Sequence, residues 1–431
     1  MSAGICIMNR NAIAMAADSA VTVGDHAAIH NSANKLFSLS KVAPIGAIIY
    51  ANGAFMSVPM EIIIKEYKKH IGKKTFSALK DYLNDFIHYL QSHVQFFRFD
   101  INEEFFVKSV FMDLMGGLSG DYNILTERKR NEKGSDLSEE EQESIGEETL
   151  NATIKFINDK ANIDGASFVE YIKQKYKAEF IKILETEKDF AWVKKEQIDG
   201  FVEEVIKIYD RKFDRNGYVG LAIAGYGDNE IYPSLMHIHL SGCIDGKIRY
   251  FVEQEASISE RIPASVVPLA QVDVMQTFLF GINDQFLGYL ANEIPSQIAE
   301  SLNNMDDKLF AVGQKDAVMK QLVGVTGNVL THMQEIAIKN YMSPIFDSVA
   351  TLPIEELGLL AESMINITSI RRKVALDSNI GTVGGPIDVS IISKGDGFIW
   401  LKRKHYFERK YNPQFFYSHY EDGQGGKPDD E

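Results

Sequence analysis

A serine stands at position 2 of this 431-residue chain, directly after Met1. A serine hydroxyl is a weak nucleophile unless a base lies within hydrogen-bond reach. With Met1 removed, Ser2 carries its own base: an α-amine, whose pKa of about 7.7–8.0 lies close to working pH. With Met1 attached, that nitrogen is an amide and the base is lost. The small side chain of Ser2 favours removal of the methionine. Met-Ser by itself opens many proteins. Here it introduces two apolar runs around a polar turn, SAGICIM-NRN-AIAMAAD, which lead to Asp18.

Other reactive residue types form weaker patterns. Cys6 falls within the first apolar run and reads as core. Two cysteines, Cys6 and Cys243, make neither a disulfide framework nor a four-cysteine zinc site. His237 and His239 alternate on an expected strand and share a face, but no third ligand is near, so no metal is expected. His26 and His30 lie in a polar loop. GYGDNE lacks the last glycine of a dinucleotide loop and leads into a strand, so it reads as a turn. No cofactor is expected.

The elements that would position Ser2 and Asp18 follow from the pattern. SAGICIM and AIAMAAD have strand length, and KLFSLSKVAPIGAIIYANG suggests two more strands, so an antiparallel sheet of four is expected in the first fifty residues. Ser57-Val58-Pro59 reads as a helix start. Phe76, Leu79, Leu83, Phe86, Ile87, Leu90 and Val94 recur at helical spacing. From 103 to 215 the chain reads as a mostly helical, partly acidic insertion, in which NEKGSDLSEEEQESIGEE has the composition of a loop or a solvated helix end. Strands return in YVGLAIAGYG, SLMHIHLSG and KIRYFVEQ. A helical region spans 268–370, and PIDVSIIS-KGDG-FIWLKRK makes a last hairpin. Strands and helices in these blocks imply an α+β architecture.

Composition bounds the function. Hydrophobic residues at 45% and charged residues at 24% are those of a soluble globular protein. A net charge of −15 disfavours nucleic acid, whose phosphates it would repel. The longest uncharged run contains two prolines and two glycines and reads as strand, turn and helix start rather than a membrane span. No basic segment precedes the first apolar run, so no signal peptide is expected and the expected location is cytoplasmic.

Taken together, MSAGICIMNRNAIAMAADSAVTVG, NKLFSLS and GAIIYANGA resemble the start of proteasome β-type N-terminal nucleophile (Ntn) hydrolases, a superfamily that includes the HslV peptidase and the ancestral β-subunit Anbu. The family's Asp comes sixteen positions after the nucleophile in an Ala-Ala-Asp context, matched by Ala16-Ala17-Asp18. Its Lys follows about sixteen further on; Lys35, in Lys35-Leu36-Phe37, lies seventeen on. At the far end, SNIGTVGGPIDV is most like Anbu-type sequences. The resemblance covers about 2–100, 216–290 and 350–402.

The resemblance implies a four-layer αββα sandwich with a helical insertion. Its core is expected in 1–102 and 216–408, the insertion in 103–215, and a polar, disordered tail in 409–431. It implies that Ser2 attacks a peptide or amide carbonyl, that Lys35 holds the α-amine neutral and steadies the deprotonated hydroxyl, and that Asp18 supplies the lysine's counter-charge. Backbone N–H groups around Asn52 and Gly53 would face the oxyanion. Asp377 and Ser378 would support the amine, although the spacing from Asp377 to Gly384-Gly385 is longer than the family's. The Arg that usually follows the Asp is replaced by Ala20. A polypeptide substrate, a homo-oligomeric ring or related assembly, and an ATP-driven unfoldase partner are further implications. Two other readings fit the same residues: a catalytically inactive proteasome-like scaffold, and an amidase for a small molecule.

Overall fold

The computed structural model describes residues 3–23, 28–30, 32–163, 165–214, 217–305, 310, 314–374, 384–405 and 407–414. Ser2, Asp377 and Ser378 lie outside them, as does most of the tail expected to be disordered.

The described residues begin with a tight hairpin, β1 (Ala3–Asn9) and β2 (Ala12–Ala17), whose strand residues are all buried. Strands covered on both faces read as continuous apolar runs rather than alternating ones. The alternation is still present in what each side chain meets. Ala3, Ile5, Ile7, Ala12, Ala14 and Ala16 belong to one apolar cluster, and Cys6, Met8, Ile13, Met15 and Ala17 to another. Asn9 closes the turn: its Oδ1 accepts from the N–H groups of Asn11 (2.9 Å) and Ala12 (3.2 Å), and its Nδ2 donates to the carbonyls of Val349 and Leu352 (3.0 Å each).

Two further ribbons and strands follow: β3 (Val21–Val23) with β4 (Ala28–His30), then β5 (Leu36–Ser38), β6 (Ile45–Ala51), and the short β7 (Ala54–Phe55) with β8 (Val58–Pro59). Helices α1 (Met60–Ile71), α2 (Leu79–Ser92) and α3 (Val94–Phe97) come next. Then come α4 (Glu103–Lys133), α5 (Glu139–Asp159), α6 (Val169–Thr186) and α7 (Lys195–Ile206). Strands β9 (Val219–Gly225), β10 (Ser234–Ile244), β11 (Lys247–Ser257) and β12 (Ala264–Ala270) lead to α8 (Asp273–Phe280), α9 (Asp284–Asn303), α10 (Gln314–Ala337), α11 (Ser343–Thr351) and α12 (Ile354–Val374). The hairpin β13 (Asp388–Ser393) and β14 (Gly397–Lys402) is the last one described.

The architecture is α+β with two five-stranded antiparallel sheets, ordered β12-β1-β2-β13-β14 and β11-β10-β9-β6-β5. The expectation of one four-stranded sheet in the first fifty residues is therefore corrected: β1 and β2 enter one sheet and β5 and β6 the other. Strand-length apolar runs specify a strand, but not its neighbour. The two sheets meet through Met15, Ile392 and Gly46, where a side chain on Gly46 would come within 2.8 Å of both of the other two. Leu36, Ile48, Ala222 and Leu269 fill the same layer.

Helices cover the outer faces. Ile63, Tyr67, Leu83, Phe86 and Leu90 of α1 and α2 pack on Ala47, Ile49, Leu221 and Ile238. Leu357, Ala361, Met364 and Ile365 of α12 pack on Ile5, Ala14 and Ile391. Helices α4 to α7 hold an apolar cluster of their own, around Phe111, Met115, Ile172, Phe180 and Val205. Glu103 ties it to the β10–β11 turn. Its Oε1 accepts from Tyr171 (2.8 Å), Tyr176 (2.9 Å) and Lys175 (2.8 Å), and its Oε2 from the Asp245 N–H (2.8 Å).

One local expectation is narrowed and two are revised. The acidic stretch around 131–148 is helical apart from a short joint: Gly134 ends α4 in the left-handed conformation, and Ser138 with Glu141 forms a capping box that starts α5. Helix α1 begins at Met60, with Pro59 as its N-cap and no side-chain cap. Residues 264–270, partly assigned to a helical region, form the edge strand β12. Pro268 is tolerated there because an edge leaves one side of the strand unpaired. Among the described residues, no helix is long and apolar enough to cross a membrane.

Candidate functional site

The hairpin delivers Asp18 beside the start of β1. The Asp18 N–H donates to the Ala3 carbonyl (3.1 Å), and the Ala3 N–H donates back to Asp18 Oδ1 (2.9 Å). Lys35, one residue before β5, crosses from the other sheet and donates through Nζ to the same Oδ1 (2.6 Å) and to the Ala20 carbonyl (2.5 Å). Asp18 Oδ2 accepts from the N–H groups of Ala20 (3.2 Å) and Gly384 (3.1 Å). The carboxylate thus receives four donors.

Both side chains are buried. Burial lowers the pKa of Lys35. The adjoining Asp18 charge and hydrogen bond oppose that shift, while Lys404 adds to it. Lys404 is held by a second pair: its Nζ bonds Asp388 Oδ2, and its N–H donates to Asp388 Oδ1 (2.8 Å). Asp388 is opposite Ala17 in the β13–β2 register. Two acid–base pairs therefore lie close together. Buried charges persist only where their remaining hydrogen-bonding capacity is used, as it is at Asp18.

The sequence expectation placed Gly384-Gly385 in the loop near the amine. The structure brings Gly384 onto Asp18, and Ser19 binds the same segment. Its N–H donates to the Gly384 carbonyl (3.1 Å) and its hydroxyl to the Pro386 carbonyl (2.5 Å). Asp377 and Ser378, expected just upstream, lie outside the described residues. Ala20, Ser19 and the Asp388–Lys404 pair were not foreseen; only the β13–β2 register brings the last of these into place.

Asn52 and Gly53 follow the end of β6, beyond the point where the Ile49 N–H donates to the Lys35 carbonyl (2.9 Å). Ala51, Met56 and Ser57 adopt left-handed backbone conformations at φ 61°, 47° and 68°. Each costs a non-glycine residue about 1–2 kcal/mol, so the turn is held by its surroundings. The Asn52 N–H, expected to face an oxyanion, donates instead to the Tyr218 carbonyl (3.2 Å), and the Gly53 carbonyl accepts from the Met60 N–H (2.9 Å).

A second polar network adjoins this turn. Tyr50 Oη is hydrogen-bonded to His237 Nε2 and to His239 Nε2 (2.9 Å). His239 Nδ1 meets Asp214 Oδ2 (3.1 Å), and Asp214 Oδ1 takes bonds from Ser241 (2.6 Å) and Arg249 (3.4 Å). One proton arrangement satisfies every atom of the relay: His239 donates to Asp214, Tyr50 donates to His239, and neutral His237 donates to Tyr50. Burial, then His239, pulls the His237 pKa down to about 3. The two histidines thus serve a hydrogen-bond relay. Among the described residues, no group of three or more His, Cys, Asp or Glu side chains could hold a metal ion.

No protein-family model matches the sequence, and no curated protein matches it. Solved structures to which the chain is similar include Anbu (ancestral beta-subunit) from Yersinia bercovieri, at 10% identity and a TM-score of 0.26, with 99% of each chain covered. They also include a Gly-1 mutant of Anbu from Hyphomicrobium sp. strain MC1, at 9% identity and a TM-score of 0.25, covering 99% of this chain and 100% of that one. TM-scores this low do not establish a shared fold, and the chemistry of the site rests on its own residues.

Proposed function

We propose that this chain is a proteasome-like N-terminal serine hydrolase that cleaves peptide or amide bonds through a Ser2 acyl-enzyme once Met1 is removed. One observation carries the reading: Asp18 Oδ1 bonds both Lys35 Nζ and the N–H of Ala3, the residue next to Ser2. A buried cation therefore lies within two hydrogen-bond lengths of the nitrogen that joins Ala3 to Ser2. That cation would lower the pKa of a free α-amine at Ser2 and keep it a base near neutral pH.

In the proposed reaction, Ser2 Oγ bonds to the scissile carbonyl carbon and its proton passes to the Ser2 α-amine. The tetrahedral intermediate then collapses, the C–N bond breaks, and the leaving nitrogen takes that proton. Water hydrolyses the resulting ester by the same base. Asp18 orients Lys35. Gly53 would supply the oxyanion donor, and Asp377 and Ser378 would support the amine. The proposal includes the αββα sandwich, with 1–102 and 216–408 as its core and 103–215 as an inserted helical unit. A polypeptide substrate and a homo-oligomer belong to it as well. Exposed apolar side chains on α10, among them Val325 and Val329, support association.

A second reading is a catalytically silent scaffold. The use of the Asn52 N–H by Tyr218 favours it, because that donor is then not offered to an oxyanion. A small-molecule amidase is the same chemistry with a different substrate.

Intact mass before and after a fluorophosphonate or β-lactone probe separates these readings. The proposal expects loss of Met1 and one adduct per chain, absent in Ser2→Ala. A retained or blocked Met1 with no adduct would overturn it in favour of the scaffold.

A further inference from the structure

A cavity of about 550 Å³ lies where α4 and α5 cover part of β10 and β11. That volume is within the range of small-molecule sites, about 300–1,000 Å³. Leu114, Leu118, Phe156 and Phe251 supply an apolar lining. His239 and Asp214 form one wall, but the Asp214 carboxylate offers little charge to a ligand. Oδ2 is engaged by His239 and Oδ1 by Ser241 and Arg249.

Four other charged side chains line the same space: Lys160, Lys212, Asp121 and Glu253. Lys160 Nζ stands 4.6 Å from the centre of the Phe156 ring. Lys212 Nζ donates to the Val252 carbonyl (2.6 Å) and lies 5.8 Å from the Phe251 ring centre. Neither ammonium meets a carboxylate among the described residues, and neither Asp121 nor Glu253 forms a side-chain hydrogen bond or ion pair among them. Two cations and two anions thus line one cavity without pairing with one another, the two lysines partly buried and the two carboxylates exposed. A ligand of one sign would satisfy half of them and be opposed by the other half. A ligand carrying both signs around an apolar body would satisfy all four and fill the aromatic lining.

We propose that this cavity binds a small zwitterion with an apolar body, the chemistry of a free apolar amino acid or of a short apolar peptide. The carboxylate would lie toward Lys160 and Lys212, the ammonium toward Glu253 and Asp121, and the apolar group against Phe156 and Phe251. Such an occupant touches His239, which is bonded to Tyr50 and stacked on Tyr218 with ring centres 4.1 Å apart. The site therefore lies one side chain from the Asn52–Gly53 turn, outside the Asp18–Lys35 group.

The test is calorimetric titration of the full chain carrying Ser2→Ala, so that turnover cannot contribute and the result is independent of the hydrolase proposal. The probes are L-phenylalanine and the dipeptide Phe-Phe, with phenethylamine and 3-phenylpropionate as analogues of one charge each. The expected result is saturable binding of a zwitterion, with each analogue weaker by about tenfold or more. Tighter binding of Phe-Phe would identify a peptide as the source, and tighter binding of phenylalanine the free amino acid. Glu253→Gln and Lys212→Met should each weaken binding by about tenfold. Lys212 also bonds backbone, so a misfolded Lys212→Met would leave the exposed Glu253→Gln as the deciding variant. Absence of saturable heat with both zwitterions overturns the proposal. So does equal binding of the analogues, or unchanged affinity in a folded Glu253→Gln protein.

Discussion

Asp18 Oδ1 and Lys35 Nζ stand 2.6 Å apart in an interior that leaves 4% of the lysine side chain and none of the aspartate side chain in solvent. The two partners are not equivalent. Lys35 depends on Asp18 and one carbonyl, whereas Asp18 keeps three backbone N–H donors if the lysine is lost.

That asymmetry gives an ordering. Asp18→Ala should cost about 3–5 kcal/mol, because it leaves a buried ammonium without a counter-charge and strands three N–H groups. Lys35→Met should cost less, by about 1 kcal/mol or more, since the carboxylate retains its backbone bonds. Urea midpoints of the two variants provide the comparison. Equal losses, or the reverse order, would refute the account.

Acid stability should depend on His237. Its folded pKa of about 3 lies below the ordinary 6.5, so between those values the unfolded chain takes up a proton that the folded chain refuses. Stability should therefore rise with pH across this window and fall on acidification, by at most about 1.4 kcal/mol per pH unit from this residue. Denaturation midpoints from pH 4 to 8 should show a shallower slope in His237→Asn than in the parent.

Gly220 and Tyr50 should be coupled. A side chain on Gly220 would fall 2.1 Å from Cζ of the Tyr50 ring, which lies across it to reach His237 and His239. Gly220→Ala is expected to cost about 1–3 kcal/mol, and much less in a Tyr50→Ala background. A double-mutant cycle with no coupling energy would show that the ring does not lie there.

Glu103 should matter more than its place at a helix start suggests. Burial alone would raise its pKa, but bonds from Lys175, Tyr171, the Asp245 N–H and Tyr176 outweigh that and lower it. An acid with a lowered folded pKa stabilises the fold above its ordinary pKa, and that contribution disappears as pH falls through the lowered value. Glu103→Ala is expected to cost about 2–3 kcal/mol at neutral pH and progressively less on acidification. Melting curves at pH 7 and pH 3 would test both halves.

The opening hairpin was legible in the sequence because its two apolar runs, its Asn9–Asn11 turn and the Asp18 that follows are all local. So were β9 to β11 and the last hairpin. The sheet assignment was not legible, because β2 and β5 differ in partner rather than in composition. The acidic stretch left a loop and a solvated helix end both open, because the two share the same residues. Its legible signal was the spacing of Ser138 and Glu141, a capping box. Gly384 could be suspected from its Gly-Gly turn, but its bond to Asp18 spans 366 positions in sequence. The relay through Tyr50, His239 and Asp214 joins three separate stretches of chain and depends on strand register, which spacing alone does not reveal.

The two ends of the first hairpin are fastened to different neighbours. Asn9 is tied to the carbonyls of Val349 and Leu352, and Ala3 is tied to Asp18, which is itself tied to Gly384. Pinned at both ends, β1 behaves as a strut that cannot slide along its own axis without breaking bonds at each. Ala3 is therefore a fixed point of the fold. The anchoring of β1 thus uses no atom ahead of the Ala3 N–H, so the position of this strand is set by bonds that begin at Ala3.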